Sequence, residues 1–196
     1  AGAGGRDRAV KWSAVRRKLG RVDKAIEKAI EKAEMPGAVL LARMPKHGEV
    51  IEHFSRHGLA VVRPERLPMT RETIFDLASL TKPIATTTAV MQLVAEGAVD
   101  LDAPVAKFLP AFAEREKESV TLRHLLTHSS GLRADGGYFL EPYPERRDLK
   151  STNDLIRFAL EGPLKSRPGT SWSYSTLGFA VLAEIVKRAG GMRFEE

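Results

Sequence analysis

The pattern of apolar and polar positions divides the start of the chain into a helical segment and several short β-rich runs. The helical segment places charged residues between apolar ones at i, i+3 and i+4 spacing: Val22, Ile26, Ala29, Ile30 and Ala33. This spacing predicts a surface helix that ends at the Met-Pro-Gly of residues 35–37. Runs rich in β-forming residues follow at 38–44, 49–54 and 58–62, with a hairpin signal at 45–48. Two or three antiparallel strands are therefore predicted after the helix.

Beyond residue 78 the pattern is mainly helical. A helix of about four turns that ends near Gly97 is predicted from residues at helical spacing: Ile84, Thr88, Met91, Val94 and Ala95. Pro83 should make the first turn of this helix irregular, because its ring clashes with the carbonyl of Ser79 in a regular helix. Further helices are predicted to start near residues 119, 154 and 177, while glycines and prolines predict a loop at 133–150.

These elements predict an α+β fold, in which an antiparallel sheet is flanked by helices and joined to an all-helical region. We divide the chain into a basic, flexible extension (1–20), the N-terminal part of the sheet domain (21–78) and a mainly helical region (79–196). The 43% hydrophobic content is enough for a core.

Composition excludes several function classes. The 196 residues include no cysteine, so thiolate metal sites and cysteine nucleophiles are excluded. No apolar run approaches the roughly 20 residues of a membrane span, and no signal peptide is visible, which leaves the localisation unknown. Five of the six net positive charges come from residues 1–20. The basic balance is therefore local, and we do not predict nucleic-acid binding.

The candidate chemistry centres on Ser79 and Lys82. If Ser79 opens a helix, the two side chains lie one turn apart on the same face. A neutral lysine amine accepts a serine proton, and both the positive helix end and burial disfavour the ammonium form. The S-x-x-K pattern alone is weak, since a helix-capping serine followed by a solvated lysine gives the same letters.

The histidines do not indicate a metal site. His47, His53 and His57 fall on predicted strands and turns, where scattered histidines are usually solvated. His124 and His128 are four residues apart but lack the glutamate of the zinc pattern H-E-x-x-H. We therefore predict neither a metal nor another cofactor.

Two further stretches of the sequence support a catalytic role for Ser79 and Lys82. Thr-Leu-Arg-His-Leu-Leu-Thr-His-Ser-Ser-Gly-Leu occupies residues 121–132, and Pro-Gly-Thr-Ser-Trp-Ser-Tyr-Ser occupies residues 168–175. Together with Phe-Asp-Leu-Ala-Ser-Leu-Thr-Lys at 75–82, they resemble motifs of the serine β-lactamase/penicillin-binding superfamily. The nearest branch is that of class C β-lactamase-like esterases and D-amino-acid peptidases, and the similarity runs from about residue 22 to the end of the chain.

The resemblance implies roles for individual residues. Ser79 would be the nucleophile that accepts the acyl group, and its backbone N–H would supply half of an oxyanion hole. Lys82 would be the adjacent base or proton shuttle. Tyr174 would be a second proton-transfer group, although a packed aromatic residue before a helix is the plain alternative. Which of the two is the base stays open. The His-Ser-Ser-Gly stretch at 128–131 is interpreted as structural, ending a helix in a turn.

Two residues are predicted to bind substrate. Thr176 stands where the family commonly has asparagine, and it keeps a hydroxyl but loses reach. This departure fits the esterase branch better than a penicillin-type substrate. Tyr138 belongs to an aromatic loop that would line a substrate mouth or, as is commoner, pack on the surface.

The family's C-terminal K-T-G or H-x-G motif is the larger departure, since no stretch of this chain matches it. That motif lies on a strand, and without it the predicted sheet has an exposed edge. We therefore expect a second chain or a continuation of this one to complete the fold and the site.

The leading functional hypothesis is a serine hydrolase that forms an acyl-enzyme on ester or amide substrates. A carboxylesterase is placed first, with a β-lactamase or D-amino-acid peptidase as the alternative. A hypothesis of another class is a non-catalytic ligand-binding member of the same fold. A third, binding of the basic extension to a polyanion, predicts salt-sensitive binding that is lost when residues 1–20 are deleted.

Overall fold

A computed structural model describes residues 12–46, 49–133 and 151–191. The chain forms two compact units, Ala1–Asp76 and Leu77–Glu196. The three-part division drawn from the sequence stays a prediction. Among the helices of the described residues, none combines the length and the apolar character that crossing a membrane requires.

The first unit contains one helix and a small antiparallel sheet. Its elements are α1 (Trp12–Glu31), β1 (Gly37–Lys46), β2 (Glu49–Val61) and β3 (Leu67–Pro68). Helix α1 begins upstream of the predicted surface helix and crosses residue 20, the end of the predicted extension. Val15 and Leu19 continue the helical spacing there, and both are half-buried. The helical pattern therefore extends upstream of Val22.

The sheet has the order β1-β2-β3, and the register of its long hairpin runs from Gly37 opposite Gly58 to Lys46 opposite Glu49. The two β-rich runs predicted at 49–54 and 58–62 are in fact one strand. Gly58 has a φ of 68° and still pairs with Gly37, because glycine adopts a positive φ without strain. The third strand is instead the short β3.

A carboxylate on α1 links the helix to β2. Asp23 accepts hydrogen bonds from Ser55 Oγ at 2.5 Å and from His53 Nε2 at 3.0 Å, and His57 Nε2 lies 3.2 Å from it. Alternate residues of a strand share one face, which brings these three side chains to the same helix. The hydrogen bond from Ser55 is the main reason that the pKa of Asp23 is lowered. The prediction that the histidines are solvated is wrong for this pair, whose side chains are only 25% and 10% exposed.

The second unit is mainly helical. Its α-helices are α2 (Thr88–Ala95), α3 (Leu122–Leu126), α4 (Thr152–Glu161) and α5 (Thr176–Gly190). Short 3-10 helices occupy Ala78–Leu80, Val105–Lys107 and Pro110–Ala113, and Lys82–Thr87 is π-helical. The π-helical segment contains Pro83 and leads directly into α2, in agreement with the irregular first turn expected from the proline.

Helix α5 is central to the core of this unit. It packs against α2, α3 and α4, and six consecutive residues of its N-terminal half, 177–182, are buried, so that this half is enclosed on every side. The buried residues of α5 are Leu177, Gly178, Phe179, Ala180, Val181, Leu182 and Ile185. The N-terminal end of α5 is therefore held by packing on all sides.

Two of the helix starts are capped by serine. Ser151 Oγ accepts a hydrogen bond from Asp154 N–H at 3.2 Å and caps α4, which begins two residues before the predicted start near residue 154. Ser175, only 1% exposed, caps α5 by accepting a hydrogen bond from Gly178 N–H at 3.3 Å. Serine is a favoured N-cap because its hydroxyl satisfies an amide that lacks a partner within the helix.

A buried lysine stabilises the other end of α4. Lys117 is wholly buried, and its Nζ donates a short hydrogen bond to the carbonyl of Leu160 near the C-terminus of α4. The negative end of the helix dipole favours a cation at this position. The Nζ atom also lies 5.6 Å from the centre of the Phe112 ring. Burial lowers the pKa of Lys117, since desolvation disfavours its charged form.

Candidate active site

Ser79 lies in the middle of the 3-10 turn Ala78–Leu80, and its side chain is exposed to solvent. The residue before it, Ala78, has a φ of 44°, a left-handed conformation that a residue with a Cβ rarely adopts. Strain of this kind persists only where the surrounding structure enforces it, and it is concentrated at functional sites. The sharp turn presents the serine hydroxyl at the surface of the second unit.

Lys82 extends towards Ser79 from the first residue of the π-helical segment. Its Nζ atom donates a hydrogen bond to Ser79 Oγ at 3.3 Å. The two residues are three positions apart, so local helical geometry is sufficient to bring them together, as the sequence predicted. Lys82 is half-buried, whereas Ser79 is exposed to solvent.

Tyr174 reaches the same place from the extended segment before α5. The centre of its ring lies 5.0 Å from Lys82 Nζ, within the range of a cation–π interaction with an ammonium. The ring of Phe179, one turn inside α5, lies 5.8 Å from the same nitrogen. Tyr174 is 40% exposed. The structure thus brings Ser79, Lys82 and Tyr174 together around the lysine amine.

The two predicted substrate-binding residues have different outcomes. Thr176 is the first residue of α5 and lines a cavity of about 560 Å³ that also borders Lys82 and Asn153. Its role in binding stays a prediction. Tyr138 lies outside the described residues.

A second cavity, of about 500 Å³, opens at the nucleophile candidate. Its lining includes Ser79, Lys82, Tyr174, His128 and Phe179. Lys82 and Phe179 also line the larger cavity. A substrate carbonyl placed at Ser79 would therefore lie between two concave regions, of which one has an aromatic wall.

His128 is the residue of this site to which the sequence interpretation gave no part in the chemistry. Its ring centre lies 4.6 Å from that of Tyr174 and 5.1 Å from that of Phe179, and its Nδ1 accepts a hydrogen bond from Ser175 N–H at 3.1 Å. The residue does end a helix in a turn, as predicted. Nothing in the sequence spacing links it to Tyr174, because the contact is made across the fold.

The described residues contain no group of three histidine, aspartate, glutamate or cysteine side chains arranged to hold a metal ion. His124 Nδ1 instead accepts a hydrogen bond from Thr121 N–H at 3.3 Å in a capping box at the start of α3. The two histidines of that stretch are therefore used for backbone hydrogen bonds.

Comparison with known proteins agrees with this geometry. The family model described as Beta-lactamase matches residues 22–196. The chain belongs to the beta-lactamase family. This is a family of serine hydrolases that includes esterases, β-lactamases and penicillin-binding proteins, so the resemblance drawn from the three motifs is confirmed.

Two relatives align with most of this beta-lactamase family chain. Esterase EstB of Burkholderia gladioli is 38% identical over 186 residues, which cover 87% of this chain and 45% of the esterase. Penicillin-binding protein 4* of Bacillus subtilis (strain 168) is 31% identical over 168 residues, covering 85% of this chain and 35% of that protein. The chain thus spans less than half the length of these relatives.

The solved structures give the same fold. The octameric penicillin-binding protein homologue from Pyrococcus abyssi superposes with a TM-score of 0.73 at 30% sequence identity, covering 90% of this chain and 40% of that one. The predicted α+β class, with helices and an antiparallel sheet, is confirmed for this member of the beta-lactamase family.

Proposed function

We propose that this member of the beta-lactamase family is a carboxylesterase that forms an acyl-enzyme on Ser79. The observation that carries the proposal is the 3.3 Å contact between Lys82 Nζ and Ser79 Oγ, because an activated nucleophile needs a base within hydrogen-bond reach. The similarity to Esterase EstB supports an ester as the substrate.

In the proposed reaction, Ser79 Oγ attacks the ester carbonyl carbon. The hydroxyl proton passes to Lys82, whose neutral amine accepts it by reversing the hydrogen bond now donated by Nζ. The negative charge that develops on the carbonyl oxygen would be stabilised by the Ser79 backbone N–H at the start of the helical segment. The carbon–oxygen bond to the alcohol then breaks, and the leaving alkoxide takes a proton from the Tyr174 hydroxyl.

Hydrolysis of the acyl-enzyme completes the cycle. Water attacks the acyl carbon and passes a proton to the Tyr174 oxygen, while Lys82 returns its proton to Ser79 Oγ as the carboxylic acid is released. We assign the proton transfer on the leaving-group side to Tyr174, since its ring flanks the lysine amine at 5.0 Å. A cationic Lys82 at this distance would favour the tyrosinate form.

A β-lactamase or D-amino-acid peptidase activity is the second candidate. The similarity to Penicillin-binding protein 4* favours it. Thr176 argues for the esterase, because a threonine hydroxyl at the start of α5 reaches less far than the asparagine amide common in the family. Thr176 and Tyr138 are proposed to contact the substrate.

We also propose that further strands, supplied by a continuation of the chain or by a second chain, complete the sheet and the site. Two apolar side chains of the long hairpin, Leu41 and Val50, are 52% and 55% exposed. Exposed apolar groups on a short sheet are typical of a surface that another element covers. A fully ordered and active monomer of these 196 residues would refute this part of the proposal.

Covalent labelling tests the central proposal. The full-length protein would be incubated with a fluorophosphonate and weighed intact under denaturing conditions. We expect a single adduct that is absent in Ser79→Ala and present in the matched control Ser119→Ala, which alters another exposed serine of the second unit. An unlabelled wild-type protein, or an adduct that persists in Ser79→Ala, would overturn the proposal. Hydrolysis of p-nitrophenyl acetate and of nitrocefin would then separate the esterase from the β-lactamase.

A further inference from the structure

His128 occupies a backbone position that normally selects another residue. It follows Thr127, the C-cap of α3, and has a φ of 56°. Helices that end in this left-handed conformation usually place glycine or asparagine there, because a Cβ is strained. A histidine at this position indicates that its side chain makes interactions that offset the strain.

Two hydrogen bonds join His128 to the residues on either side of Tyr174. The His128 carbonyl accepts from Ser173 N–H at 2.8 Å, and its Nδ1 accepts from Ser175 N–H at 3.1 Å. Ser175 is 1% exposed, so its N–H has little access to water as an alternative partner. The backbone on both sides of Tyr174 is therefore fixed by one residue.

The imidazole ring also supports the tyrosine ring directly. The planes of His128 and Tyr174 are tilted by 34° with their centres 4.6 Å apart, a stacked arrangement that favours one orientation of the phenol. The centre of the imidazole ring also lies 5.1 Å from that of the Phe179 ring and 6.1 Å from that of the Trp172 ring, which it meets edge-on. The imidazole thus restricts both the main chain and the side chain of Tyr174.

The hydrogen bond to Nδ1 also limits what His128 does chemically. Because Nδ1 accepts from Ser175 N–H, the proton of a neutral imidazole lies on Nε2. In this state neither nitrogen is available to take the Ser79 proton. A role as general base is therefore disfavoured, and a role in orientation is compatible with every contact described.

We propose that His128 is a positioning residue that holds Tyr174 beside Lys82 through its Nδ1 acceptor and its ring. This inference rests on the proposed function, in which Tyr174 transfers a proton. A displaced phenol would slow the chemical steps more than it weakens ester binding, since it alters one wall of the cavity at Ser79 and leaves the other lining residues in place. The expected signature is therefore a fall in kcat with little change in KM.

A pair of variants in the full-length protein tests this proposal. His128→Gly and His128→Asn both tolerate the left-handed backbone, but only asparagine offers an oxygen near the position of Nδ1. We expect kcat for p-nitrophenyl acetate to fall about 100-fold in the glycine variant, with KM changed by less than about threefold. Asparagine should recover kcat to within about tenfold of wild type, because it lacks only the ring contact.

Exchange of the Ser175 amide proton, followed by NMR, gives a readout that is independent of catalysis. This amide should exchange at least about tenfold faster in His128→Gly than in wild type or His128→Asn, while the Ser173 amide changes less. Equal kcat in the two variants, or a glycine variant as active as wild type, would overturn the positioning role. Activity that persists in Ser79→Ala would instead refute the proposed function, and amide exchange would still decide whether His128 orders the segment.

Discussion

Replacing Asp23 should loosen helix α1 from β2. The Asp23 carboxylate has three partners on the strand at 2.5–3.2 Å, and a hydrogen bond to a charged group contributes about 1.5–3 kcal/mol. The three contributions share one carboxylate that is 19% exposed, so they do not add. We expect Asp23→Asn to lower the free energy of unfolding by about 2 kcal/mol at pH 7. The NH₂ group of the asparagine would face side chains on β2 that donate hydrogen bonds, so at least one of these bonds is lost.

The difference between wild type and Asp23→Asn should depend on pH in a defined direction. The pKa of Asp23 is lowered in the folded protein, mainly by the hydrogen bond from Ser55. A carboxylate with a lowered folded pKa stabilises the protein fully above its unfolded pKa, about 3.9, and loses that contribution as the pH falls through the folded value. The difference should therefore shrink as the pH falls below about 5 and the carboxyl takes up a proton.

Urea unfolding followed by circular dichroism measures these free energies. Glu27→Gln is the matched control, since it removes a carboxylate one turn further along α1 that lies 3.5 Å from His57 and is 57% exposed. We expect this exposed pair to contribute less than about 1 kcal/mol. A change below about 0.5 kcal/mol for Asp23→Asn at pH 7, or a difference that stays constant down to pH 2.5, would refute the reasoning.

The second unit gives two further predictions of stability. A Cβ at Gly131 would lie 2.0 Å from Ser166 O, whereas one at Gly97 has no neighbour within 4 Å, and both glycines have positive φ. Thermal unfolding should therefore show that Gly131→Ala destabilises the protein by about 1–3 kcal/mol more than Gly97→Ala, and equal effects would contradict the close contact. Lys117, hydrogen-bonded to the Leu160 carbonyl, has its pKa lowered by burial, so its protons are held less tightly in the folded state. Relative to Lys117→Met, the wild type should gain stability as the pH rises through the lowered pKa towards about 10.4, and parallel pH profiles of melting temperature would contradict this.

The sequence determined those features that depend on neighbouring positions. Periodicity of 3.6 located α1 and α5, and the short β-rich runs located the hairpin, because each pattern reflects local geometry. The contact between Ser79 and Lys82 belongs to the same class, since three residues of helical backbone bring the two side chains together. Even the irregular turn after them followed from Pro83, a purely local steric effect.

Boundaries were less predictable, because tertiary contacts override local signals. Gly58 looked like a break between two strands, yet pairing with Gly37 carries β2 through it. The apolar periodicity was read from Val22 onwards, whereas α1 begins upstream at Trp12. In both cases the interactions of neighbouring segments outweigh the preference of a single residue.

Only the tertiary structure decided which distant residues meet. Nothing in the spacing indicated that His128 would accept a hydrogen bond from Ser175, or that His53 and His57 would share the carboxylate of Asp23. Hydrogen bonds between distant segments depend on how whole elements pack, and packing is set by the combined burial of many apolar side chains. The sequence alone therefore identified the candidate nucleophile and its neighbour, while only the fold shows which distant residues contact Tyr174 and the residues beside it.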